Sequence, residues 1–181
     1  MVTGYRNMNP SKVLEALVWV AHNNPGADFH NILKTIFYAD KCHLQKYGRP
    51  VVGDHYKKMD YGPVGSCAYD LLKKSSFCTP GMAAVAKNAL DIRQAALPLV
   101  YPLRDPNLDF FSDTDIECLQ EALAFCQDKT FRHLCDLTHK EPAWREAFEN
   151  EDLNYELLVG DGSGNEEIVK TIRETAPSLV F

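Results

Sequence analysis

The 181-residue sequence has no long hydrophobic run. Its longest apolar stretches are broken by Glu15 in 14–21 and by Pro98 and Pro102 in 95–103. Both fall short of the ~20 residues that cross a bilayer, so no membrane contact is expected. Residues 1–10 carry no apolar segment followed by a small-residue cleavage site, which predicts a cytoplasmic chain. The six cysteines, at 42, 67, 78, 118, 126 and 135, form no CxxC pair. No Cys/His set has zinc spacing, and the adjacent Cys42 and His43 would point apart on a helix. Free thiols are therefore expected, as in a reducing compartment. The glycine-rich stretch Gly160-Asp-Gly-Ser-Gly164 lacks the lysine of a phosphate loop and reads as a flexible linker. No metal, cofactor or catalytic constellation is predicted.

What is present is the composition of a folded domain, 45% apolar and 24% charged. A chain of this length buries roughly 70% of its unfolded surface and needs no staple to fold. The net charge of −6 is unevenly divided. Residues 1–104 carry 13 basic against 7 acidic side chains, and residues 105–181 carry 6 against 18. Two readings fit: two solvated faces, or an acidic surface that meets a basic partner.

Helical signals dominate. Asn9-Pro10 is an N-cap with a first-turn proline, followed by Val13, Leu14, Leu17, Val18 and Ala21 at helical spacing. Asp28 can cap a second helix through Phe29, Ile32, Leu33, Ile36, Phe37 and Leu44, which Gly48 stops; its apolar centre should cross the core. Residues 55–61 read as a short extended segment, and Pro63 as the start of a third helix. Residues 83–89 fit helix or loop, and 97–103 a weak strand that its two prolines confine to an edge. Thr114 with Glu117, or less well Ser112 with Asp115, makes a capping box before an inward stripe of Ile116, Leu119, Leu123 and Phe125. Shorter helices follow at 131–137, after the box Thr138/Glu141, and at 168–172. The expected fold is mainly α, one compact multi-helix domain over 1–181 with a small β element near 55–61 or 99–103. Its core spans 10–150, and 151–181 forms an acidic, partly flexible C-terminal segment.

Basic residues interleave with tyrosines between Tyr38 and Lys74, a pattern that also fits nucleic-acid binding. A Cys–His nucleophile built on Cys67 or Cys78, or a hydrolase using Cys67 or His139, has no local signature in its favour.

Several stretches in fixed order carry a resemblance. They are Phe37 to Pro50, with Ala39-Asp40, His43-Leu44 and Tyr47-Gly48-Arg49-Pro50; then Gly53-Asp54; Tyr61-Gly62-Pro63-Val64; Tyr69 to Lys73; Phe111-Ser112; and Thr138-His139 followed by Glu141 and Trp144. Together they resemble the Panacea domain, the SocA/GepA-like antitoxin family of phage and bacterial mobile elements. Gly65-Ser66 departs from the proline that family members often carry after this Tyr-Gly-Pro-Val. The resemblance implies a mainly helical, non-enzymatic antitoxin that neutralises a toxin encoded beside it. It also implies a protease as a further partner, since one member delivers its toxin for proteolysis. A DNA-binding autorepressor of its own operon is the alternative.

The motif residues Asp40, His43, Tyr61, Gly62, Pro63, Thr138, His139, Glu141 and Trp144 have two readings. Structurally, Asp40 would anchor a loop amide or Arg49, and Tyr61-Gly62-Pro63 would form a strand-to-helix corner. Thr138 and Glu141 would cap a helix whose Trp144 enters the core, with His139 hydrogen-bonded at the corner. Functionally, the same residues would frame a toxin-binding groove.

Overall fold

In the computed structural model, which describes residues 1–75, 81–160 and 165–181, the first two helices begin where their caps predict. Helix α1 (Pro10–Asn23) starts with Asn9 accepting the Ser11 amide at 3.0 Å. Helix α2 (Phe29–Tyr47) starts with Asp28 accepting the Asn31 amide at 2.8 Å, and ends at Gly48 with φ +73°. A left-handed residue of this kind costs glycine no Cβ clash. The remaining helices are α3 (Ser66–Lys73), α4 (Met82–Ala89), α5 (Asp113–Cys126), α6 (Phe131–Thr138), α7 (Pro142–Glu146) and α8 (Asn165–Thr175).

Two small antiparallel sheets complete a compact, mainly helical fold. One has the order β1 (Ala27–Asp28), β5 (Leu99–Pro102), β4 (Leu90–Arg93); the other pairs β2 (Tyr56–Lys57) with β3 (Val64–Gly65). Both segments expected to be extended form strands. Cys78 and residues 161–164 of the expected linker lie outside the described residues.

Four local expectations are corrected. Strand β5 is the centre of its sheet, not an edge. Pro98 precedes the strand and Pro102 ends it, so neither missing N–H interrupts the ladder at its centre. Helix α3 begins at Ser66, not Pro63, because the Asp54 carboxylate accepts the Cys67 and Ala68 amides at 3.0 and 2.9 Å. That satisfies the helix start, while Val64 and Gly65 are drawn into pairing with β2. At α5 the capping box is Ser112 with Asp115; Glu117 turns outward to Lys46 and Tyr47 at 2.8 and 2.9 Å. Phe125 is half-exposed rather than inward, its ring edge-to-face with Tyr38.

Helix α2 divides two cores. Ile32, Ile36 and Ala39 join Leu14, Leu17 and Val18 of α1, Leu71 and Leu72 of α3, and Leu119 and Leu123 of α5. Phe37 and Leu44 join a second cluster with Tyr5, Tyr56, Leu153, Tyr155 and Ile172. Leu153, Tyr155, Leu158, Val159, Ile172 and Ala176, all within 151–181, are buried there.

The charge division has an internal counterpart. Lys12 pairs with Asp115 at 3.0 Å, Lys41 with Glu141 at 2.6 Å, and Lys46 with Glu117 and Glu121 at 2.8 and 2.5 Å. Arg49 pairs with Asp115 at 2.9 Å and Lys57 with Asp152 at 2.8 Å. The basic and acidic halves thus meet each other across the fold. Glu146, Glu149 and Glu151 remain exposed, with no ion pair among the described residues.

Candidate functional site: a clamped corner beside an apolar cavity

The motif residues form a buried scaffold and, on one side of it, an open cavity. Asp40 lies fully buried on α2 and accepts the Val52 and Gly53 amides at 2.8 and 3.0 Å and the Tyr56 hydroxyl at 3.0 Å. It therefore anchors loop amides and not Arg49, which goes to Asp115. Burial pushes its carboxyl up to about 7, against the pull of those hydrogen bonds. One turn on, buried His43 bonds the Arg49 carbonyl at 2.7 Å and Thr114 Oγ1 at 3.0 Å. These two residues hold the 49–56 loop and α5 to α2, and neither lines the cavity.

Tyr61-Gly62-Pro63 is a corner between the paired strands β2 and β3, not the expected strand-to-helix corner, and it is clamped from behind. Gly62 has φ +94°, and a Cβ there would fall on Thr138 Oγ1 and press against Lys34 Nζ. Lys34 Nζ donates to the Pro63 carbonyl at 2.7 Å, and the His30 ring meets the Tyr61 carbonyl at 3.2 Å. Thr138 Oγ1 donates back to the Leu134 and Cys135 carbonyls at 2.9 and 3.1 Å. Thr138 thus ends α6, and the predicted Thr138/Glu141 box is replaced. Glu141 is itself the N-cap residue of α7, with Pro142 in its first turn. Its carboxylate takes Lys41 at 2.6 and 2.7 Å. The neighbouring loop Lys140–Glu141 lets the His139 ring stack on Trp144 at 4.0 Å and 11°. His139 Nε2 is buried and has no hydrogen-bond partner among the described residues. Trp144 is half-buried rather than in the core; its Nε1 donates to the Met59 carbonyl at 3.2 Å, and Lys58 Nζ lies 4.4 Å above its ring. The Thr138–Trp144 segment thereby supports residues 58–63.

The front of this corner opens on a cavity of about 610 Å³. Its walls are largely apolar: Phe29, Leu33, Met59, Tyr69, Leu97 and Phe131, with Tyr61. Tyr61 is 60% exposed, and Met59, Tyr69 and Leu97 are each more than a third exposed. Tyr61, Met59, Tyr69 and Leu97 thus form a partly exposed apolar cluster around the concavity. His30 and Lys34 lie among the lining residues, one turn apart on α2. Burial draws His30 down to about 4 and Lys34 down to about 7, so both are pushed toward their neutral forms.

Of the predicted residues, the structure brings Tyr61, Gly62, Pro63, Thr138, His139 and Trp144 to the corner and its support. Glu141 ties α7 to α2 through Lys41, while Asp40 and His43 sit apart. Phe29, His30, Lys34, Met59, Tyr69, Leu97 and Phe131 were not anticipated as site residues. One signal existed: Lys34 is a lone charge within the apolar run from Ile32 to Phe37. A thiol–imidazole contact does occur, between Cys135 Sγ and His30 Nε2 at 3.4 Å. Burial raises the thiol and lowers the imidazole, the opposite of an activated nucleophile. No group of three or more potential metal ligands occurs among the described residues.

A family model, Antitoxin SocA-like, Panacea domain, matches residues 32–145, and the chain belongs to that family. No curated relative and no solved structure matches it.

Proposed function

We propose that this chain is a non-enzymatic cytoplasmic antitoxin that neutralises a cognate toxin by direct contact, and that the toxin seats an apolar anchor in the cavity beside Tyr61. The carrying observation is that this exposed, aromatic-rimmed cavity is walled almost entirely by residues within the family's matched span. Large aromatic and methionine side chains in a concave site supply most binding energy in protein interfaces. The exposed Glu146, Glu149 and Glu151 add negative surface that speeds encounter with a basic toxin surface. Delivery of the bound toxin to a protease is a further consequence that the family resemblance implies.

The autorepressor reading is less well supported. Lys41, Lys46, Arg49 and Lys57, the core of the basic and tyrosine-rich stretch, are engaged by carboxylates of the acidic half. They are not a free phosphate-binding patch.

The test is co-expression with the neighbouring open reading frame. The chain should restore growth and co-purify with the toxin. Tyr61→Ala with Met59→Ala should weaken the complex by at least tenfold, with little loss of thermal stability. Unchanged affinity would move the contact off the cavity; a harmless neighbour would remove the antitoxin reading. Toxin that disappears only in protease-competent cells would mark adaptor action, and toxin that persists in an inactive complex would mark occlusion.

A further inference from the structure

Helices α2 and α5 form the most extensive helix pair of the fold, and two thiols face each other across it. Cys42 Sγ on α2 lies 3.1 Å from Cys118 Sγ on α5. A disulfide bond is about 2.05 Å long, so about 1 Å of approach would close one. The two residues differ in access. Cys118 is fully buried, whereas Cys42 is only partly buried and lines a second cavity of about 390 Å³ between the helices. Tyr38, Gln45, Lys46 and Glu121 share that cavity, which is open enough to admit a small oxidant. Most buried cysteines are chemically silent because burial shields the thiol and keeps it protonated; here one thiol of the pair borders a cavity and the other lies within reach of it.

We propose that Cys42 and Cys118 are an oxidative modification site, in which a hydroperoxide converts the two thiols to an intramolecular disulfide that ties α2 to α5. The Cys42 sulfur attacks the peroxide, breaking the O–O bond. It becomes a sulfenic acid, and the leaving oxygen departs as water after taking up the thiol proton. The Cys118 sulfur then attacks the sulfenic sulfur, the S–S bond forms, and the hydroxyl leaves as a second water with the Cys118 proton. Two thiols lose two electrons, and one hydrogen peroxide is reduced to two waters. The Glu121 carboxylate, 3.4 Å from Cys42 Sγ, disfavours the thiolate. Burial acts in the same direction on both sulfurs, which makes the site slow at neutral pH and faster in alkali. The proposal is independent of the toxin-binding reading.

The experiment uses the full-length reduced protein and hydrogen peroxide at pH 7 and pH 9, with remaining thiols then alkylated. Intact mass should show the loss of two hydrogens and two fewer alkylated cysteines. Digestion should give one crosslinked pair containing Cys42 and Cys118. The rate should rise by more than about tenfold between the two pH values, and the thermal midpoint of the oxidised protein should rise by on the order of 5–10 °C. Cys42→Ser should abolish the crosslink and Cys67→Ser should leave it intact. A crosslink between other cysteines, a disulfide-bonded dimer, or sulfinic acid at Cys42 without a crosslink would overturn the proposal. So would a crosslink that persists in Cys42→Ser.

Discussion

On one face of α2 the buried side chains are aliphatic; on the adjacent face they are aromatic and surround carboxylates. The first core joins α1, which is buried on every face, to α3 and α5 through apolar side chains spaced within a few residues of one another. Its cohesion is area burial, and apolar side chains of similar volume are tolerated best there. The second core joins Val2, Tyr5, Tyr56, residues 153–159 and α8 beside the buried Asp40 and Asp54. Tyr5, Phe37, Tyr56 and Tyr155 meet at ring-centroid distances of 5.2–5.9 Å, and the Tyr155 hydroxyl donates to the Asp54 carbonyl at 2.5 Å. Asp40 and Asp54 together accept five backbone amides. The lesson is that irregular backbone can be buried only where side chains satisfy it, so this core depends on residue identity as well as volume.

Removing a carboxylate from the second core should break the comparison most sharply. Asp54→Ala leaves the His55, Cys67 and Ala68 amides without their acceptor and should cost about 4 kcal/mol, read from the chemical-denaturation midpoint. A cost under about 1 kcal/mol would mean that water replaces the carboxylate and the two cores are not different in kind. In the first core, Leu17→Ala should cost about 3 kcal/mol by transfer and cavity terms, and Leu17→Met should recover most of it.

A pH series separates Asp40 of the second core from Lys34 behind the cavity corner by sign. Asp40, raised from 3.8 to about 7, binds its proton more tightly folded than unfolded. Its contribution is most favourable below about pH 4 and is lost as pH rises to about 7. Lys34, lowered from 10.5 to about 7, binds its proton less tightly when folded. Stability should therefore rise with pH between about 7 and 10.5 on its account. Each limb should have a slope of up to about 1.4 kcal/mol per pH unit. Asp40→Asn should flatten the acid limb alone and Lys34→Met the alkaline limb alone, as measured by denaturation across pH 4–10. Either variant flattening both limbs would show the two sites to be coupled. The smallest effect is expected from Tyr155→Phe, about 1 kcal/mol for one lost hydrogen bond, visible as a small fall in thermal midpoint with the ring packing kept.

Legibility followed the same division. The caps of α1 and α2 and the apolar rows of α1, α2 and α5 were readable because the groups involved lie within four residues of one another. The Pro63 start and the Thr138/Glu141 box were misread because distant groups outcompeted the local signal. Asp54 reaches α3 from outside it, and Glu141 turns to Lys41 on another helix. In the candidate site the motif residues marked the corner. The walls of the cavity came from Phe29, Tyr69, Leu97 and Phe131, which no spacing rule links.

The amino-acid sequence by itself determined the helical class and the family, since periodicity and ordered motifs are properties of the chain alone. Only the tertiary structure decided where the charges went. Lys12 finds Asp115, Lys41 finds Glu141 and Lys57 finds Asp152 across 95 to 103 residues. Composition records that both signs are present in different halves, but Coulomb attraction acts through space. Whether those halves repel, attract a partner or neutralise each other depends on which surfaces the packing of α2 brings together.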